Sequence, residues 1–139
     1  MQKNKIRTLA LGIIEYQNRL LVSLGYDQIK KQKFYRLPGG GIDFGELSSE
    51  ALVREFREEL GAELSKVEYL GTLENIFEFN GDQGHEIAFI FKASFKDKKF
   101  YQQKSFKILD SQRAGEALWV PISKLKRSRL YPNGVKKYF

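Results

Sequence analysis

The sequence predicts an α/β fold, an α/β/α sandwich in which a mixed β-sheet lies between helices, formed as a single domain over residues 1–139. Segments typical of strands stand before and after one amphipathic helix over residues 48–60, which indicates mixed layers of sheet and helix. The segment over residues 85–95 is apolar on both faces, as in a strand that is covered on both sides. A chain of 139 residues, 42% of them hydrophobic, is sufficient for one packed core.

The strands are predicted from runs of β-branched, aliphatic and aromatic residues that end at turn-forming residues. Residues 17–18 form a turn between the first two runs, and residues 80–84 form a second hairpin turn. Residues 97–115 are lysine-rich and are expected to be irregular. Short helices are expected from Ser123 and after a turn at residues 131–134. The predicted strands are, in chain order, residues 6–16, 19–26, 34–37, 66–79, 85–95 and 118–122.

The helix over residues 48–60 has one apolar face and one acidic face. An α-helix rotates by about 100° per residue, so Leu52, Phe56 and Leu60 lie on one arc that can pack against a sheet. Gly61 fits the left-handed conformation that ends many helices. The helix is therefore predicted to pack by its apolar face and to leave the acidic face free for chemistry.

Glu55, Glu58 and Glu59 form the acidic face, within side-chain reach of one another. Like charges three and four residues apart destabilise a helix by a few tenths of a kcal/mol per pair, and Arg54 can offset only one pair through Glu58. A hard divalent cation offsets the repulsion better, because Mg²⁺ binds carboxylate oxygens together with substrate phosphates. The alternative is an ordinary solvated acidic surface.

Three consecutive glycines, Gly39, Gly40 and Gly41, precede this helix and follow Pro38. Glycines allow the backbone to approach a ligand closely and to adopt positive φ. A backbone cradle next to a cluster of carboxylates favours a site for a metal ion bound to phosphate over a surface acidic patch.

The stretch from Gly40 to Ala62 resembles the signature of the Nudix hydrolase (MutT-like) family. That signature is Gly, five residues, Glu, seven residues, Arg-Glu, an aliphatic, any residue, Glu-Glu, any residue, Gly and an aliphatic. Every charged and glycine position matches, and the two departures, Phe56 and Ala62, are apolar and affect packing rather than chemistry. The matching charged and glycine positions are Gly40, Glu46, Arg54, Glu55, Glu58, Glu59 and Gly61.

The resemblance implies a Nudix-type α/β/α sandwich and an enzyme that hydrolyses phosphoric anhydride bonds. Its substrate would be a nucleoside diphosphate linked to another moiety, including nucleoside triphosphates. Mg²⁺, with Mn²⁺ as a substitute, would be the cofactor, and Arg54 would orient a glutamate by a salt bridge. Glu46 would be an outer carboxylate of the metal site or a partner of the helix dipole. The implied metal ligands are the Gly39 carbonyl, Glu55, Glu58 and Glu59.

Members of the family often place the general base outside the signature, so the match does not assign it. One of the three helix glutamates is a candidate, and two further candidates are Glu86, at the start of an apolar strand, and Glu116, before Trp119. A surface role is the alternative for each of them.

Substrate contacts are expected around the glycine turn, where the backbone of Gly40 and Gly41 can approach phosphate and Arg36 can supply positive charge. Aromatic side chains nearby can stack on a base, although core packing is the alternative for each. The candidates are Phe34, Tyr35 and Phe77.

The net charge of +7 is unevenly distributed, with six Lys or Arg and no acidic residue over residues 117–139. Basic surface attracts nucleotides or an RNA 5′ end, although it also serves solubility. No motif with interleaved aromatic residues supports binding of extended nucleic acid. A second function class is a non-catalytic nucleotide sensor. Further alternatives are an RNA 5′-end pyrophosphohydrolase and a basic RNA-binding module.

The absence of cysteine excludes disulfides and thiolate metal sites and is typical of proteins of the reducing cytoplasm. No apolar run is long enough for a signal sequence or a membrane span. We expect a cytoplasmic protein whose partner is a small nucleotide-type molecule and not a membrane. The resemblance is also compatible with a homodimer.

Overall fold

The computed structural model of the chain describes residues 4–109 and 115–139. These residues form two α-helices, α1 (Ser48–Leu60) and α2 (Ile122–Lys126), and two 3₁₀ helices, Lys98–Gln102 and Val135–Tyr138. The strands are β1 (Ile6–Ile13), β2 (Glu15–Tyr16), β3 (Arg19–Asp27), β4 (Gln32–Arg36), β5 (Gly39–Gly41), β6 (Leu64–Phe79), β7 (Asp82–Phe95), β8 (Ser105–Lys107), β9 (Glu116–Pro121) and β10 (Leu130–Tyr131).

The strands form two sheets, each of them mixed. In the first sheet the order is β5-β1-β7-β6, with β1 and β7 parallel and the other pairs antiparallel. In the second sheet the order is β10-β4-β3-β9-β8, with β2 beside β3, and only β10 and β4 are parallel. The predicted α/β class with mixed pairing is confirmed, and the strands divide between two sheets rather than joining one.

The division begins at Ile14, inside the stretch predicted as one strand over residues 6–16. β1 ends at Ile13 and pairs with β5 and β7, whereas β2 pairs with β3 in the other sheet. The predicted turn at residues 17–18 is present, and both of its residues have positive φ. The chain therefore passes from the first sheet to the second at this point. β3 pairs with β4 and β9 and not with β1.

The core lies on both faces of the first sheet. Along β1, Ala10 packs with Phe56 of α1 on one face, and Leu9 and Leu11 pack on the opposite face. β7 alternates in the same way, since Phe91 and Phe95 belong to the α1 side and Ala88 and Ile90 to the other side. This confirms the prediction that residues 85–95 are covered on both faces. Full burial of a side chain such as Phe56 contributes about 1.5–3 kcal/mol.

The region predicted to be irregular, residues 97–115, contains regular structure in its described part. Asp97 begins the 3₁₀ helix Lys98–Gln102, where its side chain accepts a hydrogen bond from the Lys99 N–H. β8 follows and pairs with β9. Residues 110–114 lie outside the described residues. Tertiary pairing with β9 overrides the weak local preference of the lysine-rich sequence.

Helix α1 begins and ends where the sequence predicts. The Glu50 carboxylate accepts a hydrogen bond from the Leu47 N–H at the start of the helix, and Gly61 has φ of 64° at its end. The Gly61 N–H donates to the Arg57 carbonyl, which satisfies one of the last free backbone acceptors. Within the described residues, no helix is long and apolar enough to cross a bilayer.

Candidate active site

A cleft of about 740 Å³ is lined by residues from both sheets and from α1. We call one end of it the carboxylate end, lined by Glu55, Glu59 and Glu86, and the other the aromatic end. β6 runs between the two, from Asn75 opposite Glu86 to Phe79 at the hairpin tip. Four residues of strand span about 13 Å. The aromatic end is lined by Phe34, Phe77, Phe79 and Tyr131.

Arg54 holds the loop after the glycine turn against α1. Its guanidinium makes two hydrogen bonds to Glu46, at 2.8 and 3.0 Å, and one of 2.9 Å to the Gly41 carbonyl. The same side chain donates to Glu55 at 3.0 Å and to Glu58 at 3.2 Å. The predicted contact between Arg54 and Glu58 is therefore one part of a larger network. Three carboxylates that repel one another share a single cation.

The network changes the titration of its members. Hydrogen bonds from the Arg54 guanidinium, together with the Asp43 N–H, hold the pKa of Glu46 below its ordinary value. Reciprocally, the hydrogen bond to Glu46, supported by Glu55, raises the pKa of Arg54. Glu46 is therefore an ionised carboxylate bound by Arg54.

Gly39 and Gly40 of β5 each have a close neighbour at the position where a side chain would begin. A side chain at Gly39 would place its Cβ 2.1 Å from the Ala10 carbonyl oxygen, and Gly39 has φ of 136°. A Cβ at Gly40 would lie 2.5 Å from the carboxyl carbon of Glu55. The antiparallel pairing of β5 with β1 thus leaves no room for a side chain at Gly39, and a side chain at Gly40 would displace the Glu55 carboxylate.

The three helix glutamates have different surroundings. Glu59 is 5% exposed and lines the cleft, as does Glu55, one helical turn earlier. The side chain of Glu58 is 59% exposed, is bonded to Arg54 and is not among the cleft-lining residues. Of the three glutamates predicted as metal ligands, the structure therefore brings Glu55 and Glu59 together in the cleft and leaves Glu58 outside it.

Of the two candidate bases, the structure brings Glu86 to the carboxylate end of the cleft. Parallel pairing of β1 with β7 sets Arg7 opposite Glu86, and their side chains lie 3.6 Å apart. Glu116 is exposed on β9, pairs with Lys107 of β8 and does not line the cleft. Arg7 was not found from the sequence, because only the register between two distant strands reveals its place.

The aromatic end is built around Phe34. Its ring makes edge contacts with Phe79 at 5.8 Å and with Tyr131 at 5.3 Å between centroids. Gly25 on β3 is needed here, because a Cβ at that position would lie 2.4 Å from the Phe34 ring. Phe79 and Tyr131 were not found from the sequence, since they come from strands that meet only in the fold. Phe77, two residues before Phe79, points to the same side of β6.

The remaining substrate candidates fall on both sides of β4. Arg36 and Phe34 line the cleft, and so does Gly41. Tyr35 lies between Phe34 and Arg36 in sequence and points the opposite way. It packs beside the core cluster around Leu20, and the Lys124 ammonium lies 6.0 Å from its ring centre. The alternation of a strand explains why Phe34 and Tyr35 have different environments.

The donor set at the carboxylate end fits a divalent cation that arrives with substrate. Within residues 4–109 and 115–139, no three acidic or histidine side chains are grouped as a ready-made metal site. Mg²⁺ usually needs only one or two protein carboxylates, with waters and substrate phosphates completing its ligands. The carboxylates of Glu55 and Glu59, one turn apart in the cleft, meet that need.

Comparison with known proteins identifies the fold. The sequence model of the NUDIX domain family matches residues 5–138. The MutT NUDIX hydrolase from Burkholderia pseudomallei is 23% identical with a TM-score of 0.65, covering 86% of this chain and 86% of its own. The MutT protein from Methanosarcina mazei Go1 is 18% identical with a TM-score of 0.63, covering 99% and 92%.

A further solved structure, an ADP compounds hydrolase, is 16% identical with a TM-score of 0.62 and covers 88% of this chain and 62% of its own. At such identities these likenesses establish the fold alone. A comparison with curated proteins finds no match.

Proposed function

The chain belongs to the Nudix family and is a hydrolase of phosphoric anhydride bonds, and we propose that it cleaves the diphosphate linkage of a nucleotide-type substrate. The observation that carries the proposal is a single cleft with carboxylates at one end and four aromatic side chains at the other. A nucleotide has the same division, since its phosphates bind cations and its base stacks on aromatic rings.

The aromatic end supports a base-binding role through its geometry. Phe77 is half-buried and Phe34 is 8% exposed, and both line the cleft together with the polar groups of Gln32 and Asn75. Aromatic walls give binding energy with any planar base, whereas polar groups at their edges choose among bases. The substrate class is therefore a nucleoside diphosphate linked to a further group, nucleoside triphosphates included.

The carboxylate end supports the chemistry. Glu55 and Glu59 would hold Mg²⁺ or Mn²⁺ together with the substrate's phosphates, with the Gly39 carbonyl as the predicted backbone ligand. The cation supplies neutralisation of the phosphate charge that otherwise repels a nucleophile. Arg54 fixes the rotamer of Glu55 by a hydrogen bond of 3.0 Å, and that constraint holds the carboxylate over Gly40.

Glu86 has the better place of the two candidate bases. It lines the cleft beside Glu55 and Glu59, and Arg7 holds it from the opposite strand. A carboxylate in this position can accept the proton of an attacking water. Arg7 and Arg36 add positive charge along the cleft, which favours entry of an anionic substrate.

The test is a panel of nucleoside triphosphates, nucleoside diphosphate sugars, ADP-ribose and dinucleoside polyphosphates, assayed with Mg²⁺, with Mn²⁺ and with a chelator. We expect metal-dependent turnover that falls by at least about 10³-fold in Glu59→Gln, since the loss of a metal-binding carboxylate removes transition-state stabilisation. Glu63→Gln is the matched control, because Glu63 pairs with Arg57 on the protein surface away from the cleft.

Two variants decide the roles that the sequence predicts for exposed residues. A loss in Glu58→Gln as large as that in Glu59→Gln would make Glu58 a ligand despite its exposure, and a loss below about tenfold would leave it a partner of Arg54. Glu116→Gln compared with Glu86→Gln tests the base in the same way. Tight nucleotide binding without turnover by the unmodified protein would favour a sensor and overturn the proposal.

The cytoplasmic location, the nucleotide as the only partner and the homodimer remain proposals. Size-exclusion chromatography with light scattering measures the last of these directly.

A further inference from the structure

The aromatic end of the cleft is closed by two hairpins that belong to different sheets. The β3–β4 hairpin comes from the second sheet and the β6–β7 hairpin from the first. Phe34 stands on one hairpin and Phe77 and Phe79 on the other. Whatever sets the distance between the two hairpin tips therefore sets the spacing of the aromatic walls.

Asp27, the last residue of β3, joins the two tips. It is 4% exposed and lines the cleft. Its Oδ1 accepts hydrogen bonds from the N–H groups of Ile29 at 2.9 Å and Lys30 at 2.8 Å, which shape its own turn. Its Oδ2 accepts a hydrogen bond from the Asn80 N–H at 3.1 Å, across to the tip of the other hairpin.

Two further hydrogen bonds cross the same gap. The Gln28 N–H donates to the Asn80 Oδ1 at 2.8 Å, so Asn80 gives one bond to the opposite tip and accepts another from it. The Lys30 ammonium donates to the Glu78 carbonyl at 2.8 Å. We call these five residues, Asp27, Gln28, Lys30, Glu78 and Asn80, the hairpin latch.

The latch requires a carboxylate at position 27. Each oxygen of Asp27 accepts from a different hairpin, so both oxygens must be acceptors at once. Asparagine is nearly the same size but has one acceptor oxygen and one NH₂ group. In Asp27→Asn, the side-chain NH₂ group would face backbone N–H groups, either those of Ile29 and Lys30 or that of Asn80. Two donors form no hydrogen bond, so the latch opens without creating a cavity.

We infer that Asp27 is a positioning residue for the base of the substrate, acting through the latch to hold Phe34 and the aromatic rings of β6 at the spacing of one planar group. This inference rests on the proposed nucleotide hydrolysis and adds the means by which this chain fixes the width of its base site. The latch lies at the hairpin tips, about 13 Å along β6 from the level of Glu86, so it acts on binding and not on the carboxylates.

The test compares steady-state kinetics of Asp27→Asn and Asn80→Gly with the unmodified protein on its best nucleotide. Asn80 has φ of 52°, which glycine adopts without strain, so Asn80→Gly removes the acceptor of the Gln28 N–H and leaves the backbone intact. We expect KM to rise about tenfold in Asp27→Asn and severalfold in Asn80→Gly, with kcat within threefold in both.

The control is Asp97→Asn, because Asp97 also accepts a backbone N–H hydrogen bond but lies outside the cleft. If a general loss of folding were the cause, the apparent kcat would fall in all variants because a smaller fraction of the protein is active. Asp97→Asn would then show the same fall in kcat. Unchanged KM in both latch variants, or a fall in kcat alone, would overturn the inference.

The unmodified protein separates this result from the proposed function. Absence of nucleotide turnover would refute the proposed hydrolysis. The effect of the latch on binding would then be measured as the Kd of a methylene-bridged, non-hydrolysable nucleotide for the unmodified protein and each variant. Turnover by the unmodified protein with equal Kd in all variants would refute the latch alone.

Discussion

The carboxylate end of the cleft comes mostly from one continuous stretch of chain, whereas the aromatic end is assembled from three separate strands. Gly41, Glu55 and Glu59 lie within 19 residues of sequence. By contrast, Phe34, Phe77 and Tyr131 come from β4, β6 and β10. The first region is fixed by local turns and a helix, and the second by the meeting of two sheets.

The two regions also use different interactions to hold their shape. At the carboxylate end, Arg54 gathers acidic side chains that would otherwise repel one another, and glycines allow contact at close range. At the aromatic end, edge contacts between rings and the hairpin latch hold the walls. Ion pairs therefore organise the carboxylate end, whereas ring packing and the hydrogen bonds of the latch organise the aromatic end. Variants should divide in the same way, between effects on kcat and effects on KM.

Among the variants that compare the two ends of the cleft, Gly40→Ala has the largest expected effect. The new Cβ would lie 2.5 Å from the carboxyl carbon of Glu55, so this carboxylate must move away from its place in the cleft. A displacement of about 1 Å at a reacting centre costs about 10²-fold in rate. We expect kcat to fall about 100-fold in the nucleotide assay. Gly41→Ala, at the neighbouring cleft-lining glycine, is the steric comparison, and a smaller loss is expected there because its nearest neighbour, Arg7 Nη2, would be at 3.8 Å.

An equal loss in both alanine variants would contradict this explanation. The approach of Glu55 to the turn would then not be the reason for glycine at position 40.

Arg54→Lys tests the network at the carboxylate end through stability. Lysine cannot reproduce the paired hydrogen bonds to Glu46 or the simultaneous bonds to Glu55 and the Gly41 carbonyl. We expect the free energy of unfolding to fall by about 2 kcal/mol, since bonds to charged groups contribute about 1.5–3 kcal/mol each and part of the network survives. Urea denaturation measures the change.

Arg57→Lys provides the comparison on the same helix. Arg57 pairs with Glu63 at the surface, where both side chains are about half exposed. Exposed ion pairs contribute about 0–1 kcal/mol, so a smaller change is expected there. Equal changes in the two variants would mean that the burial of the Arg54 network adds nothing to the free energy of unfolding.

Phe77→Ala tests the aromatic end through binding. Loss of an aromatic platform for a base costs about 1–3 kcal/mol, of which about 1.4 kcal/mol corresponds to tenfold in affinity. We expect KM to rise about tenfold with little change in kcat. Tyr69→Ala, an exposed aromatic residue on the same strand and outside the cleft, is the control. A fall in kcat without a change in KM would place Phe77 in the chemistry instead.

The smallest expected effect is the pH dependence of stability at the latch. The Lys30 N–H, with those of Asn80 and Ile29, lowers the pKa of Asp27 below its ordinary value of 3.8. A lowered pKa in the folded state contributes stability that is fully present above about pH 4 and is lost as pH falls through the folded pKa. The urea midpoints of the unmodified protein and Asp27→Asn should therefore differ at pH 7 and converge towards pH 3.

Convergence that begins near pH 6 would assign the effect to another group. A constant difference over the whole range would show that the charge of Asp27 has no part in it.

The helix and its site were predictable because their information is local. The limits of α1, its C-terminal cap at Gly61, its apolar face and its acidic face follow from residue spacing within one turn or two. The three glycines were predicted as a turn that cradles a ligand, whereas the structure places them in β5, paired with β1, and only Gly41 of the three lines the cleft. The exposure of Glu58 was not predictable, because spacing places three glutamates on one arc and only packing decides which of them enters a cleft.

The sequence by itself determined the α/β class, the helix, the turn and the family, since each depends on hydrophobic period or on a fixed spacing of charges and glycines. Only the tertiary structure decided that the strands form two sheets, that Arg7 meets Glu86 and that Phe34 meets Phe79 and Tyr131. The physical reason is that these contacts join residues 45 to 97 positions apart, where side-chain burial over the whole core, and not local preference, selects the partner.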